Sequence, residues 1–360
     1  MFHGDNAQGK SNLLEAIWVL TTTKSHRTTN ERELINRTVV GDLMPVAYVF
    51  GEVQRSKDSI TLEVTLRLGK AGHPVPSESA TAQKRIRVNG VARRAIDVVG
   101  QVNAVMFSAQ DIDLISGAPS LRRRHIDLIN SQIDSRYLHC LQQYHRVILQ
   151  RNRLLDLIQQ HQARPAELEF WDNELVSNGS YLIAQRKSLV RSLNELSVTA
   201  HDTLSGGTEN LRLIYLPKVG SEGTVRSEIE SEFWHALHQT QSTEISRGMT
   251  LVGPHRDDLR FEVNSVDMGI YGSRGQQRTV ALSLRMAEAS HLRKQTNEAP
   301  ILLLDDMLSE LDQTRRLHLM ESISFAQQAL ITATDTELFD CSFLDHAIQF
   351  NVRQGTVDRV

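Results

Sequence analysis

The chain has 360 residues, of which 40% are hydrophobic and 23% charged, so it can bury a sizeable core and fold as two lobes. Its net charge of −3 excludes a global positive field, so contact with nucleic acid would need a local patch. Two cysteines exclude a disulfide framework and suit a reducing compartment. No apolar run is long enough to span a bilayer and no signal peptide is recognisable, so we expect a cytoplasmic protein without a membrane partner.

A phosphate-binding loop stands close to the start of the sequence. Its glycines let backbone N–H groups turn around a phosphate, its lysine reaches the outer phosphates, and its hydroxyl binds Mg²⁺. Residues 12–20 form an apolar helical pattern whose N-terminal dipole would point at the phosphate. The loop predicts a nucleotide site in which Lys10 is catalytic and Ser11 binds the metal. The predicted nucleotide-binding residues are Gly4, Asp5, Asn6, Ala7, Gln8, Gly9, Lys10, Ser11 and Asn12.

Short alternating segments indicate a small β layer beside this loop. Apolar and polar residues alternate at 46–53 and 60–68, as they do in half-buried strands. Residues 85–91 have the pattern of a hairpin that turns at Asn89-Gly90.

From residue 121 to about residue 201 the pattern is helical, and leucines recur at intervals of seven. Two helices of roughly 25 and 30 residues, at ~1.5 Å per residue, would form an antiparallel arm on the order of 40 Å long. They would be separated near Arg164-Pro165. A packed helical subdomain is the alternative, and Gly179 favours it. The repeating leucines are Leu168, Leu175, Leu182, Leu189 and Leu196, and the facing series is Leu141, Ile148 and Leu155.

A second acidic centre follows the aliphatic residues 301–304. This apolar run predicts a buried parallel strand that delivers Asp305 and Asp306 to the edge of the sheet. Asp305 would hold Mg²⁺ through water, and Asp306 would orient or deprotonate the attacking water. A strand that simply ends in an acidic turn is the alternative. Together with the phosphate-binding loop, the pair is typical of a Walker B motif.

Small residues and a glutamine precede another amphipathic helix. Ser273, Gly275 and Gln276 resemble the signature motif of ABC-type ATPases. That resemblance implies that Ser273 and Gly275 of one subunit cap the γ-phosphate bound by a second subunit, so the site is completed by dimerisation. Ser309 and Asp312 resemble the D-loop that crosses such an interface.

Several separated motifs together resemble the RecF family of bacterial recombination-mediator ATPases. The resemblance implies an α/β fold, an ABC/SMC-type P-loop ATPase head with an inserted, mainly helical second lobe. The head would comprise residues 1–115 and 275–360, and residues 116–274 would form the helical lobe, with the helical arm and the signature motif at its end. RecF-like proteins begin with several strands before the P-loop, which implies that these strands are missing here. The motifs are Ser25-His26-Arg27, residues 116–127, Gly253 to Asp258, Gly275 to Arg278 and residues 304–319.

The resemblance also implies a mechanism. ATP and Mg²⁺ would be the cofactors, and ATP would join two copies around duplex DNA or a junction of single and double strands. Slow, DNA-stimulated hydrolysis would release the DNA. RecR, RecO and, indirectly, RecA would be the partners in recombinational repair and replication restart. Gln110 and Thr334 are candidate sensors, although Gln110 departs from the residue common in the family.

The arginine run at 122–124 is the predicted contact with DNA phosphates. Arg122, Arg123 and Arg124 form one of the few local cationic clusters in the chain. A solvated charged face is the alternative interpretation, since surface arginines commonly have no ligand.

Two other classes of protein stay open at this stage. An ABC transporter nucleotide-binding subunit would carry a switch histidine, where this chain offers Thr334 or Asp335. A P-loop kinase would use residues 273–278 only as a helix cap and would act as a monomer on a small acceptor.

Overall fold

The structure is a computed structural model that describes residues 1–36, 38, 45–68, 82–220, 225–324, 326–337 and 339–360. The chain divides into two compact units, the first formed by Met1–Ala109 with Leu292–Val360 and the second by Gln110–His291. The predicted division was also discontinuous, but its boundaries were at 115 and 275. The signature motif therefore belongs to the second unit, together with most of the helix that it begins.

The described residues form both strands and helices. The strands are β1 (Phe2–His3), β2 (Val46–Gln54), β3 (Ser59–Leu68), β4 (Ala82–Val88), β5 (Val91–Arg93), β6 (Ala104–Ser108), β7 (Leu211–Leu216), β8 (Asp258–Val263), β9 (Val266–Asp267), β10 (Ile301–Asp305), β11 (Ala329–Ala333), β12 (Phe350–Arg353) and β13 (Thr356–Arg359). The helices are α1 (Lys10–Thr22), α2 (Ile112–Ser116), α3 (Pro119–Ile133), α4 (Ser135–Gln159), α5 (Leu168–Ser205), α6 (Arg226–Arg247), α7 (Met268–Tyr271), α8 (Arg274–Thr296), α9 (Gln313–Ser324) and α10 (Cys341–His346). None of these helices is both long and apolar enough to cross a membrane.

A six-stranded sheet in the order β13-β12-β1-β11-β10-β6 forms the centre of the first unit. Its neighbouring strands are parallel, except that β12 and β13 are antiparallel. Leu303 and Leu304 of β10 are fully buried between β6 and β11, which confirms the predicted buried parallel strand. β1 has only two residues, but it pairs with both β11 and β12. The loop after β1 therefore starts from within the sheet.

A four-stranded antiparallel sheet, β2-β3-β4-β5, covers one side of α1. Its inner face buries Leu62 and Val64 against Val19 and Leu20 of the helix. The hairpin between β4 and β5 turns at Asn89 and Gly90, both with positive φ, as a two-residue hairpin requires. The predicted β layer is thus confirmed.

The helices of the second unit pack into a bundle, which favours the packed alternative over a free antiparallel arm. Leu175 and Leu182 are fully buried in one cluster with Phe233 of α6. A Cβ on Gly179 would lie 2.6 Å from the Phe233 ring, so only glycine lets α5 and α6 approach this closely. The break between the long helices is where it was expected, at the 3-10 turn Pro165–Glu167.

A buried arginine joins three segments of the same bundle. Arg151 of α4 is 0% exposed and donates to Asp172 at 2.6 Å, to Glu244 at 2.7 Å and to Thr250 Oγ1 at 2.9 Å. Since all of these groups are buried, each charge depends on the others for compensation.

Candidate nucleotide-binding site

The loop between β1 and α1 has the backbone that a phosphate cradle requires. Gly4 has φ 144°, and a Cβ there would lie 2.5 Å from the carbonyl oxygen of Val352, so no other residue fits. Gly9 caps α1 with φ 106°. Lys10 is 7% exposed, and its Nζ donates to the carbonyl oxygens of Gly4 at 2.6 Å and Asp5 at 2.8 Å. The ammonium group therefore lies inside the loop, at the N-terminus of α1, where an anion is stabilised.

The turn between β12 and β13 supports this loop. The Gly355 N–H donates to the carbonyl oxygen of Gln8 at 2.9 Å, and the Gln354 N–H donates to Gln8 Oε1 at 2.7 Å. Sequence reasoning missed these two residues. The signal that could have found them is the Gln-Gly turn between two short alternating segments near residue 354.

The predicted metal ligands come together although they are 294 residues apart in sequence. The hydroxyl of Ser11 donates to the carboxylate of Asp305 at 2.7 Å. Thr332 on β11 is paired with Asp305 in the sheet, and its hydroxyl lies 3.0 Å from the same carboxylate. The sequence analysis selected Thr334 and did not predict the contact of Thr332. The signal that could have found it is a polar residue within an otherwise apolar strand.

Asp306 has a conformation that is rare for a residue with a side chain. Its φ is 48°, and its N–H donates to Thr332 Oγ1 at 3.0 Å, which holds the strained backbone. Burial raises the pKa of the Asp306 carboxyl, and nearby Asp305 adds to the rise while Lys10 opposes it. A carboxylate with a raised pKa is a better proton acceptor, as expected of a residue that activates water.

The residues of the predicted D-loop follow directly. Ser309 lies in a 3-10 turn and donates to the carbonyl oxygen of Asp306 at 2.8 Å. Asp312 caps α9 by accepting from the N–H of Arg315 at 3.0 Å. Both side chains are exposed on the first unit.

The signature residues begin α8 with a reciprocal cap. The Ser273 N–H donates to Gln276 Oε1 at 3.1 Å, and the Gln276 N–H donates to Ser273 Oγ at 3.3 Å. Gln276 is held in turn, because its Nε2 donates to Glu209 at 3.2 Å, and the other oxygen of Glu209 is 3.0 Å from His201. Ser273 and Gly275 are exposed at the tip of this cap.

The two candidate sensors follow the ends of β6 and β11. Gln110 is exposed in the 3-10 turn Ala109–Asp111, two residues after Ser108, which pairs with Asp305. Thr334 comes directly after β11 and is half-buried. Their role as sensors stays a prediction.

The arginine run differs from the expected phosphate-binding cluster. Arg122 is 8% exposed, and its guanidinium donates to both carboxylate oxygens of Asp258, at 2.7 and 3.0 Å. Arg123 donates to the carbonyl oxygen of Asp257 at 2.8 Å. Arg124 is the exposed member of the run. The guanidinium N–H groups of Arg122 already donate to Asp258 and to a backbone carbonyl oxygen inside the second unit. Arg122 is therefore a structural residue, and its prediction as a DNA contact is wrong.

We expect Arg122→Ala to lower the free energy of unfolding by about 2 kcal/mol, because Asp258 loses a two-point charged partner. The salt dependence of DNA binding should not change, whereas loss of a phosphate contact would reduce its slope by about 0.9. Arg124→Ala is the matched exposed control for the unfolding measurement. A reduced slope in Arg122→Ala with unchanged stability would contradict the correction.

The residues from Gly253 to Asp258 make hydrogen bonds to several other segments of the second unit. Asp257 is 0% exposed and accepts from the Lys218 N–H at 2.7 Å and from the Tyr215 hydroxyl. Arg186 donates to the carbonyl oxygen of Pro254 at 2.5 Å and to Asp127 at 2.9 Å. The motif thus connects helix α5, strand β7 and the motif around residue 127, and its role is structural.

Replacing Lys10 with Arg tests the loop directly. We expect ATP hydrolysis to fall more than nucleotide affinity, because a planar guanidinium cannot take the place of a compact ammonium held by two carbonyl oxygens. Steady-state kcat and the Kd of a fluorescent ATP analogue would be compared for both proteins. Unchanged hydrolysis would show that Lys10 is not at the phosphates.

A mainly parallel sheet with a P-loop, a Walker B pair and a capped signature helix defines an ATPase head of the ABC and SMC class. Residues 1–357 match the family model described as RecF/RecN/SMC N terminal domain. The chain belongs to the RecF family.

Its relatives match along almost their whole length. It is 42% identical to the DNA replication and repair protein RecF of Herpetosiphon aurantiacus, over 99% of this chain and 92% of that protein. It is 40% identical to the same protein of Chloroflexus aurantiacus, over 99% and 93%. These matches place the chain with the RecF-like ATPases rather than with transporter subunits or P-loop kinases.

Solved structures agree with this assignment. The recombination mediator protein RecF of the RecFOR pathway, in its RecF-ATP form, is 31% identical with a TM-score of 0.86, covering 100% of this chain and 90% of that one. The RecF-ATPrS form gives a TM-score of 0.85 at the same identity, covering 100% and 91%. An SMC head bound to the winged-helix domain of ScpA, 12% identical with a TM-score of 0.50, shares the fold alone.

Proposed function

We propose that this protein is an ATP-dependent DNA-binding protein of recombinational repair and replication restart. The single observation that carries the proposal is the contact of the Ser11 hydroxyl with the Asp305 carboxylate at 2.7 Å, beside the ammonium of Lys10. A phosphate cradle and a metal-binding pair meet there, in a chain related to proteins named for DNA replication and repair.

ATP and Mg²⁺ fit the residues present. A hydroxyl and a carboxylate oxygen are the ligands that Mg²⁺ takes from a protein when phosphates and water supply the rest. Ser11 and Asp305 would hold the ion, which would neutralise charge on the outer phosphates. Lys10 and the backbone N–H groups of the loop bind the phosphates, and Asp306 accepts a proton from water or orients it.

The position of the signature residues supports the proposed dimerisation. Ser273 and Gly275 are exposed at the N-terminus of α8, which favours an anion. In the proposal they cap the γ-phosphate bound by a second copy, so ATP binds the dimer more tightly than the monomer and shifts the population toward it. Ser309 and Asp312 lie at the same interface, and Gln110 and Thr334 sense the γ-phosphate.

The remaining parts of the proposal follow from membership in the family. The dimer acts in the cytoplasm on duplex DNA and on junctions of single and double strands. RecR and RecO assist it, and RecA is loaded as the outcome. Hydrolysis is slow, because Asp306 is shorter than the glutamate found at this position in transporters. DNA stimulates it, as the family resemblance implies.

Anisotropy of a labelled gapped duplex, titrated with the chain in the presence of Mg²⁺, tests the DNA-binding step. We expect tight binding with ATP and weak binding with ADP or without nucleotide. Lys10→Ala is the control, since it should lose the dependence on ATP. Equal binding under all conditions would contradict an ATP-controlled clamp.

A mixing experiment tests the shared site. Lys10→Ala and Ser273→Arg should each abolish hydrolysis alone, while an equimolar mixture should regain part of it. In a mixed dimer, one site combines the intact loop of one copy with the intact signature of the other. Absence of any recovery, with dimerisation preserved, would contradict completion of the site in trans.

A further inference from the structure

The outer face of the sheet β2-β3-β4-β5 carries two exposed aromatic side chains. Tyr48 is 59% exposed and Phe50 is 51% exposed, both on β2 at the edge of the sheet. They are two positions apart and so point to the same side of the strand. The opposite side of the sheet contains the core of this layer, and among the described residues these rings belong to no core cluster.

Arginines share this face with the aromatic rings. Strand register places Tyr48 in one row with Thr65 and Arg85, and Phe50 in the next row with Glu63 and Arg87. Arg85 and Arg87 are exposed, and Arg87 is 57% exposed although it lies 3.9 Å from Glu63. Lys84 alternates to the inner side, where it pairs with Glu31.

A third row extends the cationic character. Val46, Arg67 and Gln83 are paired across the sheet, and Arg67 is exposed. The face therefore has the two aromatic rings and Glu52 along β2, and three guanidinium groups and Glu63 on the two strands beside it. We call these residues, Tyr48, Phe50, Arg67, Arg85 and Arg87, the outer face.

This arrangement matches the chemistry of a single nucleic acid strand. Aromatic side chains on a sheet stack with bases, and arginines beside them contact the backbone phosphates. Tyr48 and Phe50 are separated by about 6.7 Å along the strand, twice the rise per residue, which suits bases that are not stacked on each other. Duplex bases are stacked and do not offer their faces to such rings.

We propose that the outer face binds single-stranded DNA, with Tyr48 and Phe50 stacking on bases and Arg67, Arg85 and Arg87 contacting phosphates. This inference rests on the proposed function in so far as DNA is the ligand. The predicted DNA contact then lies on the first unit instead of at the arginine run 122–124. Its ligand is single-stranded DNA and not the duplex.

Charge argues against the other occupants. A second copy docked by this face would bring together two surfaces that each carry three arginines and only two carboxylates, Glu52 and Glu63, and this excess of positive charge opposes association. A peptide added to the edge strand would use the backbone of β2 and would leave Arg85 and Arg87, two strands away, without a function.

The first test is anisotropy of labelled oligo(dT) and of a blunt duplex with the full chain, ATP and Mg²⁺. The double variant Tyr48→Ser, Phe50→Ser should bind oligo(dT) at least roughly 10-fold more weakly, with duplex affinity unchanged. Phe170→Ser is the matched control, because Phe170 is 63% exposed on α5, outside the outer face. An equal loss for both DNA forms would overturn the stacking role.

Charge variants test the phosphate contacts. Arg85→Gln and Arg87→Gln should each lower the slope of log affinity against log salt for oligo(dT) by about 0.7. Glu63→Gln should strengthen binding, because it removes a negative charge between Phe50 and Arg87. Unchanged slopes, or weaker binding by Glu63→Gln, would overturn the proposal.

Photocrosslinking of the unaltered chain avoids any effect of substitution on folding. Oligonucleotides with 5-iododeoxyuridine should crosslink to Tyr48 or Phe50, and mass spectrometry would identify the peptide.

Duplex binding without oligo(dT) binding would overturn this inference and leave the proposed function intact. If the double variant Tyr48→Ser, Phe50→Ser changed ATP-dependent self-association but kept its oligo(dT) affinity, the outer face would be an interface with a second copy. No ATP-dependent binding of either DNA would contradict the proposed function itself.

Discussion

Asp306→Asn is expected to lower kcat for ATP hydrolysis by roughly 10²- to 10⁴-fold, the usual contribution of a positioned general base. The amide keeps the size of the side chain but cannot accept a proton from water. ATP binding should persist, since Lys10 and the loop remain intact, and ATP-dependent DNA binding should become longer-lived. Single-turnover hydrolysis and the rate of DNA release would be measured together.

Asp345→Asn provides the control for that experiment, because Asp345 is an exposed carboxylate on α10 of the same unit, outside the phosphate loop, the acidic pair and the D-loop. It should leave kcat nearly unchanged.

In the unaltered protein, the acid limb of the pH profile of kcat/KM should lie above the pH range of an ordinary aspartate, because burial raises the pKa of Asp306. Activity is then lost as the pH falls through this raised pKa. An Asp306→Asn protein with normal kcat would remove Asp306 from the reaction.

Arg151→Met should destabilise the second unit by about 3–5 kcal/mol, the usual cost of removing one partner from a buried ion pair. Methionine fills a similar volume, but Asp172 and Glu244 would be left without their cation. The side chain of Glu244 is 0% exposed, so water cannot replace the lost partner. The urea midpoint of the transition that reports this unit should fall accordingly.

Arg153→Met is the matched control for this substitution, because Arg153 is exposed on the same helix. It should change the free energy of unfolding by less than about 0.5 kcal/mol. Equal midpoints for the two variants would show that the buried cluster contributes nothing that a hydrophobic side chain cannot replace.

The sequence predicted those parts of the site whose chemistry is local. Gly4, Gly9 and Lys10 follow each other closely enough to reveal a phosphate loop, and an apolar run that ends in Asp305 reveals a strand and its exit. Two such segments meet wherever a parallel sheet aligns the carboxyl ends of its strands, so the contact of Ser11 with Asp305 could be anticipated.

The supporting contacts could not be predicted in the same way, because they depend on strand order. The Thr332 hydroxyl donates to Asp305 only because β11 is the neighbour of β10. Gln354 supports the loop only because β12 lies beside β1. Arg122 has the same sequence context as a surface arginine, and only the position of Asp258 makes it structural.

The leucine repeat shows a different limit. Spacing by seven places residues on one face of a helix whether the partner is a single helix or a bundle. The distinguishing residue was Gly179, whose missing side chain makes room for Phe233. A free two-helix arm would gain nothing from such a gap.

The discontinuous first unit has a consequence for biosynthesis. The phosphate loop at residues 4–11 depends on Asp305 and on the β12–β13 turn, so the ribosome delivers its partners only after the contiguous second unit has been made. We expect Gln110–His291 to collapse early, while the loop stays incomplete during synthesis. A nascent chain that has reached residue 291 would thus lack nucleotide affinity until strands β10 to β13 have also been made.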